Sequence, residues 1–164
     1  MIKKASQSDY EIVAVIANKL WSSHNLDELK NEFKEILKDK NSCVFLYYIR
    51  DCIGDCVGDY INDYKNNTDR NTPIGFCQLS LRYDYVEGTT FSPVAYLEGI
   101  YVEKEYRKLG VAKELIQVSE NWAREKGVKE FASDCELNNI ISENVHKKLG
   151  FREVNRIICF KKDL

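Results

Sequence analysis

No stretch of this chain approaches the roughly 18 consecutive apolar residues that a membrane helix needs. The opening segment, MIKKASQSDYE, has two lysines but no apolar run behind them, so it does not read as a secretory signal. An excess of positive charge is also missing. The 24 Lys and Arg stand against 26 Asp and Glu, a net charge of −2, which leaves nothing to neutralise a phosphate backbone. These absences point to a cytoplasmic protein that binds neither membrane nor nucleic acid. Metal spacings are lacking as well. Cys52 and Cys56 form a C-x3-C pair with no second pair or His nearby, whereas a zinc site takes four ligands. Asp51, Asp55, Asp59 and Asp63 recur every four residues beside Gly54 and Gly58, without the alternating ligands and terminal Glu of an EF-hand. No metal is expected. No internal repeat or linker divides the 164 residues, so one domain spanning 1–164 is expected.

What is present is ordinary for a globular protein, with 44% hydrophobic and 30% charged residues. Cys43, Cys77, Cys135 and Cys159 sit in strand-like apolar surroundings and are expected to be buried as small hydrophobes. A short first strand covers residues 1–5. Ser8 or Asp9 caps a helix with Ile12, Val13, Ile16, Ala17 and Leu20 on one side, and Trp21 and His24 fall just past it. A second amphipathic helix, Asp27 to Lys38, buries Leu29, Phe33, Ile36 and Leu37. The run CVFLYYI from Cys43 is a strand. The polar segment from Arg50 to Thr72 reads as a solvated loop or extended hairpin. A further strand then runs from Pro73 through Arg82 and pairs with the 43–49 strand.

The stretch Tyr96 to Ala112, YLEGIYVEKEYRKLGVA, organises the rest. By period two, Tyr96, Glu98, Ile100 and Val102 share one face of a central strand, and Leu97, Gly99 and Tyr101 the other. The turn Arg107-Lys108-Leu109-Gly110-Val111-Ala112 follows and opens a helix with Leu115, Ile116, Ser119, Trp122 and Ala123 on its apolar side. Unpaired N–H groups at a helix start, with Arg107 and Lys108 beside them, suit a diphosphate. The plain competing reading is a strand-to-helix turn with surface basic residues. Downstream come a short strand around FASDC, a helix capped by Asn138 or Asn139 and closed by Gly150, and a final strand from Phe151 through Ile157, Ile158 and Phe160.

The basic turn, together with Asn139-Ile-Ile-Ser142-Glu-Asn-Val-His146-Lys-Lys-Leu149-Gly150-Phe151, resembles the GNAT superfamily of N-acetyltransferases. Within it, SPVAYLEGIYV, EFASD, LGF, the Trp21/His24 pair and Tyr85-Val86-Glu87-Gly88-Thr89 are similar to the aminoglycoside 6'-N-acetyltransferases. That resemblance implies a mixed α/β fold: a mostly antiparallel central sheet flanked by helices, with acetyl-CoA at the splay between the fourth and fifth strands. It implies that Ile100, Tyr101 and Val102 lie along the pantetheine arm, with the Val102 N–H polarising the thioester carbonyl. Arg107, Lys108, Leu109, Gly110, Val111 and Ala112 would hold the pyrophosphate, and Asn139 would contact the cofactor arm. Trp21, His24, Tyr85, Glu98 and Asp134 would line a site for the aminoglycoside, and the chain would pair as a homodimer.

The chemistry fits those carboxylates, because a polycationic substrate wants an acidic pocket. Glu98 sits mid-strand, where an uncompensated charge is expensive. The plain reading puts Glu98 in solvent and Asp134 on a turn. The amine must shed a proton before it attacks, and a nearby carboxylate opposes that while helping binding. Glu98 is therefore expected to act as base and Asp134 to anchor other ammonium groups. Two positions depart from the family pattern: His146 stands where many members carry a Tyr that protonates the leaving thiolate, and Asn155 where some relatives carry an acidic ligand. Acetylation of a polyamine, a small amine metabolite or a protein amine, or a noncatalytic acyl-CoA sensor, are the alternatives.

Overall fold

The computed structural model describes residues 1–49 and 72–164. In chain order these form strand β1 (Ile2–Lys4), helices α1 (Tyr10–Ala17) and α2 (Leu26–Ile36), and strands β2 (Ser42–Tyr47), β3 (Gly75–Arg82) and β4 (Val94–Val102). Helix α3 (Val111–Glu125), strand β5 (Phe131–Ser133) and helix α4 (Ile140–Lys148) complete the order. The acidic, glycine-bearing segment after Ile49, with Cys52 and Cys56, lies outside the described residues.

Local chemistry accounts for the helix limits. The Asn25 side chain accepts the Asp27 N–H at 2.8 Å, capping α2, whose stripe buries Leu29 and Phe33. Asn139 likewise accepts the Ser142 N–H at 3.0 Å at the start of α4. Helix α1 stops at Ala17, so Leu20 and Trp21 belong to the turn that follows it. Lys19 on that turn pairs with Glu103 just past β4.

Among the described residues one sheet holds the strands in the order β1-β2-β3-β4-β5. The first three pairings are antiparallel, with Cys43 opposite Leu79 between β2 and β3, as expected for these two strands. β5 runs parallel to β4 over only three residues, with Leu97 opposite Ser133 as the last pair. β4 continues to Val102 without β5 beside it, which opens the gap between the two strands.

The β3–β4 register slips in the middle. Gln78 pairs with Gly99 and Leu79 with Leu97, so Glu98 is an extra residue with no partner. Such a bulge reverses the side-chain phase beyond it. Strict period two puts Ile100 and Val102 with Tyr96 and Glu98, and Tyr101 with Leu97. Instead, Ile100 and Val102 pack with Ala95 and Leu97 beneath α3, and Tyr101 joins Phe33, Val44 and Phe76 on the α1/α2 side. That expectation is corrected by one inserted residue.

Two cores result, one on each face. Leu79, Leu97, Leu115 and Ile116 fill the α3 side, and Val13, Ile16, Phe33, Leu46 and Phe76 the α1/α2 side. Cys43 and Cys77 are buried as expected, but Cys135 and Cys159 are exposed free thiols. β5 has already ended at Ser133, and no strand follows α4 among the described residues, so neither thiol has an apolar neighbourhood to enter. The expected final strand from Phe151 is therefore also corrected. Its β-forming residues Ile157, Ile158 and Phe160 are 62%, 78% and 92% exposed, because no strand of their own chain pairs with them.

Candidate active site

The basic turn has the backbone its chemistry needs. Lys108 (φ +65°) and Gly110 (φ +89°) are both left-handed, on either side of Leu109. At Gly110 the requirement is conformational, since a Cβ there would meet nothing within 4 Å. The first intrahelical bond of α3 runs from the Glu114 N–H to the Gly110 carbonyl at 3.0 Å. The N–H groups of Val111, Ala112 and Lys113 precede it and have no helical acceptor, so they are available to an anion. Arg107 is partly committed: its Nε donates to the Val102 carbonyl at 2.8 Å and fastens the turn to the end of β4.

Ile100, Tyr101 and Val102 border the gap left by β5. Asn139 caps α4, its Oδ1 occupied by the capping bond while Nδ2 makes no bond among the described residues. An open depression of about 500 Å³ lies beside Glu136, Leu137 and Asn138, in the connection from Asp134 to Asn139.

His146 ties these elements together. Its Nδ1 lies 2.8 Å from the Ser142 carbonyl, which can only accept, so Nδ1 carries a hydrogen. Nε2 faces the Ser133 hydroxyl at 2.9 Å, and that hydroxyl reaches the Leu97 carbonyl at 3.1 Å. Ser133 has one hydrogen to give: donated to the Leu97 carbonyl, it leaves the hydroxyl oxygen to accept from an Nε2–H, and turned to Nε2, it gives up the bond to Leu97. The His146 ring also packs edge-on against Phe151, 5.3 Å away.

Glu98 is the residue the bulge leaves unpaired, and its charge is compensated. Ser80 donates to Oε1 at 2.5 Å, and Arg82 donates through Nε to Oε1 at 3.1 Å and through a terminal nitrogen to Oε2 at 2.6 Å. The Arg82 guanidinium lies 3.3 Å from the centroid of the Tyr96 ring. Burial, followed by its hydrogen bond to Asp134 and that carboxylate's charge, pushes the Tyr96 phenol up to about 12. Asp134, just beyond β5, is exposed. Glu98, Asp134 and Tyr96 thus share one corner of the site.

Trp21 forms the adjacent wall. It lies so close over Gly99 that a Cβ there would come within 2.6 Å of Cζ2, and its ring meets Phe76 at 5.9 Å. His24 is exposed on the same turn, its N–H bonded to the Trp21 carbonyl at 3.0 Å. Tyr85 is exposed and donates to Glu87 at 2.7 Å. Neither His24 nor Tyr85 hydrogen-bonds or ion-pairs with Glu98 or Asp134. The Tyr85 loop is anchored instead by buried Val86, packed with Val94 and Tyr96.

Sequence reasoning missed the supporting bonds of four residues, Ser80, Arg82, Glu87 and Ser133. Arg82 and Ser80 are readable in hindsight as a polar stripe with Gln78 on one face of β3. Ser133 carried no signal. Glu87 accepts from both Tyr85 and Asn155 (2.8 Å), and the Asn155 bond, then the Tyr85 bond, hold its carboxyl below the usual range.

Comparison with known proteins decides the family. The acetyltransferase (GNAT) family profile matches residues 10–151. The chain belongs to the GNAT acetyltransferases. Among GNAT proteins, it is 35% identical over 163 residues to an aminoglycoside N(6')-acetyltransferase type 1 of Acinetobacter haemolyticus, covering 99% of this chain and 98% of the relative. The apo crystal structure of an aminoglycoside antibiotic 6'-N-acetyltransferase from the same species superposes with a TM-score of 0.82 at 34% identity, covering 100% of this chain and 99% of that one. A complex of the AAC(6')-Iy enzyme with the bisubstrate analog CoA-S-monomethyl-acetylneamine superposes with a TM-score of 0.81 at 33% identity, over 100% and 98% of the two chains. The GNAT fold expected from the sequence is the one observed, with the gap between β4 and β5 where the fourth and fifth strands were expected to splay.

Proposed function

We propose that this GNAT chain, acting as one domain, transfers acetyl from acetyl-CoA to the 6'-amino group of aminoglycosides and so confers resistance to them. The observation that carries the reading is full-length similarity to aminoglycoside 6'-N-acetyltransferases in a chain whose Glu98 and Asp134 flank the gap beside β4. Acetyl-CoA supplies an activated thioester. The turn from Arg107 to Ala112 takes its pyrophosphate on backbone N–H groups, and Asn139 offers its amide nitrogen to the arm. Ile100, Tyr101 and Val102 lie along that arm, the Val102 N–H donating to the thioester carbonyl.

The aminoglycoside enters beside Trp21, with His24 and Tyr85 at the outer rim. Asp134 attracts its ammonium groups. The uncharged 6'-amine attacks the thioester carbon without a covalent enzyme intermediate, and Glu98 accepts, directly or through water, the proton that the nitrogen sheds as the C–N bond forms. The tetrahedral carbon then collapses, the C–S bond breaks, and His146 returns a proton to the departing thiolate.

We place the enzyme in the cytoplasm, in keeping with its buried free thiols Cys43 and Cys77, and assign the exposed Ile157, Ile158 and Phe160 to a contact with a second copy, giving a homodimer. Sedimentation of the Phe160→Asp variant as a monomer supports that pairing; an unchanged dimer removes it.

The test is thiol release from acetyl-CoA with a panel of aminoglycosides, an analogue with hydroxyl in place of the 6'-amine, and spermidine. Turnover with 6'-amino aminoglycosides that vanishes with the 6'-hydroxyl analogue supports the reading. Activity confined to spermidine overturns it in favour of a polyamine enzyme.

A further inference from the structure

We propose that Arg82 is a positioning residue that cancels the charge of Glu98, so that Glu98 receives the reacting amine as a hydrogen-bond donor rather than holding it as an ammonium ion. The inference rests on the acetyl-transfer reading above. A lone carboxylate beside an ammonium raises its pKa, and a neighbouring cation lowers it. Only the uncharged amine can attack. An acidic pocket therefore binds its substrate in the unreactive form unless one carboxylate is compensated.

The two carboxylates here are treated differently. Glu98 accepts both arms of the Arg82 fork and the Ser80 hydroxyl. Of the roughly four lone-pair positions on a carboxylate, one on Oε2 stays open for an amine N–H. Asp134 has no ion pair among the described residues and keeps its attraction for distant ammonium groups. The charged and titratable groups facing the Glu98–Arg82 pair are Tyr96 on β4 and Asp134 beyond β5. The Tyr96 phenol stays neutral, so it does not upset this balance.

Arg82 is also held in plane. Its guanidinium stacks on the Tyr96 ring at 3.3 Å while its edge meets Glu98. A planar, delocalised cation can do both at once, and a lysine ammonium cannot. The bulge contributes by leaving Glu98 without a backbone partner and bringing its side chain to the Ser80–Arg82 stripe.

The experiment is the pH dependence of kcat and KM for the wild type, Arg82→Met, Arg82→Gln and Arg82→Lys at saturating acetyl-CoA. The neutral variants should move the acidic limb of kcat upward by about one pH unit, roughly tenfold less turnover on that limb, with recovery at higher pH. Their KM for the aminoglycoside should hold or fall, and Arg82→Lys should return the limb most of the way. A limb that does not move, or a loss equal at every pH, overturns the proposal and leaves Arg82 a cross-strand strut.

A measurement on the wild type covers variants that fail to fold. At a pH where the free 6'-amine is an ammonium ion, calorimetry should find up to about one more proton released on binding the 6'-amino aminoglycoside than on binding its 6'-hydroxyl analogue. Proton uptake equal to or greater than the analogue's overturns the proposal. A wild type that acetylates no aminoglycoside defeats the functional reading instead, which is a different result from an unmoved limb.

Discussion

Trp21 and Gly99 compete for one space: a Cβ on Gly99 would lie 2.6 Å from Cζ2 and 2.9 Å from Cη2 of Trp21. The absence of a side chain at 99 lets an aromatic wall descend onto β4 at the residue that follows Glu98. Gly99→Ala should displace Trp21, costing about 1–3 kcal/mol of stability as overpacking does. Aminoglycoside KM should rise while acetyl-CoA KM stays unchanged. Thermal melts and two-substrate kinetics check it, and an equal rise in both KM values would mean the wall does not face the antibiotic.

Glu98 and Asp134 should separate in kinetics. Glu98→Gln keeps the shape but loses the proton acceptor, and should lower kcat by roughly 10²- to 10⁴-fold. Asp134→Asn should act on aminoglycoside KM instead, by about 10- to 100-fold, the worth of a hydrogen bond to a charged group. Near-normal turnover of Glu98→Gln at saturating substrate would remove it as base.

The His146–Ser133 pair makes a graded prediction. His146→Ala should lower kcat by roughly 10²-fold with little change in either KM, as loss of a general acid does. Ser133→Ala should cost less, because it removes only the partner of Nε2, and should alter the pH dependence of kcat. A Ser133 variant that matches wild type at every pH would mean that the hydroxyl carries no proton during turnover.

Burial pushes the Cys77 thiol up to about 12 and the Cys43 thiol up to about 11. Unfolded, each loses its proton near 9.0, so between that pH and the folded value the native state binds more protons. Their contribution is complete below pH ~9 and falls as pH rises, by about 1.4 kcal/mol per pH unit for each thiol. Cys77→Ala should therefore flatten the alkaline loss of stability, measured by urea unfolding from pH 8 to about 10.5. In native protein, peptide mapping after alkylation should find Cys135 and Cys159 labelled before Cys43 and Cys77, the exposed pair before the buried one.

Much of this molecule is determined by near neighbours in the chain. The stripe Leu29–Phe33, the caps Asn25 and Asn139 and the left-handed Gly110 before α3 each depend on groups within a few residues. Helical period and capping chemistry are short-range, so they can be read directly, as can the family resemblance that short motifs in the right order carry. Tertiary structure decided what joins distant segments. One unpaired residue between Leu97 and Gly99 reversed the faces of Ile100, Tyr101 and Val102, because register is set by cross-strand pairing rather than by either strand alone. The same pairing brought Arg82 to Glu98, and helix packing brought His146 to Ser133. The β-forming run at Ile157 and Ile158 stayed exposed because propensity does not supply a partner strand.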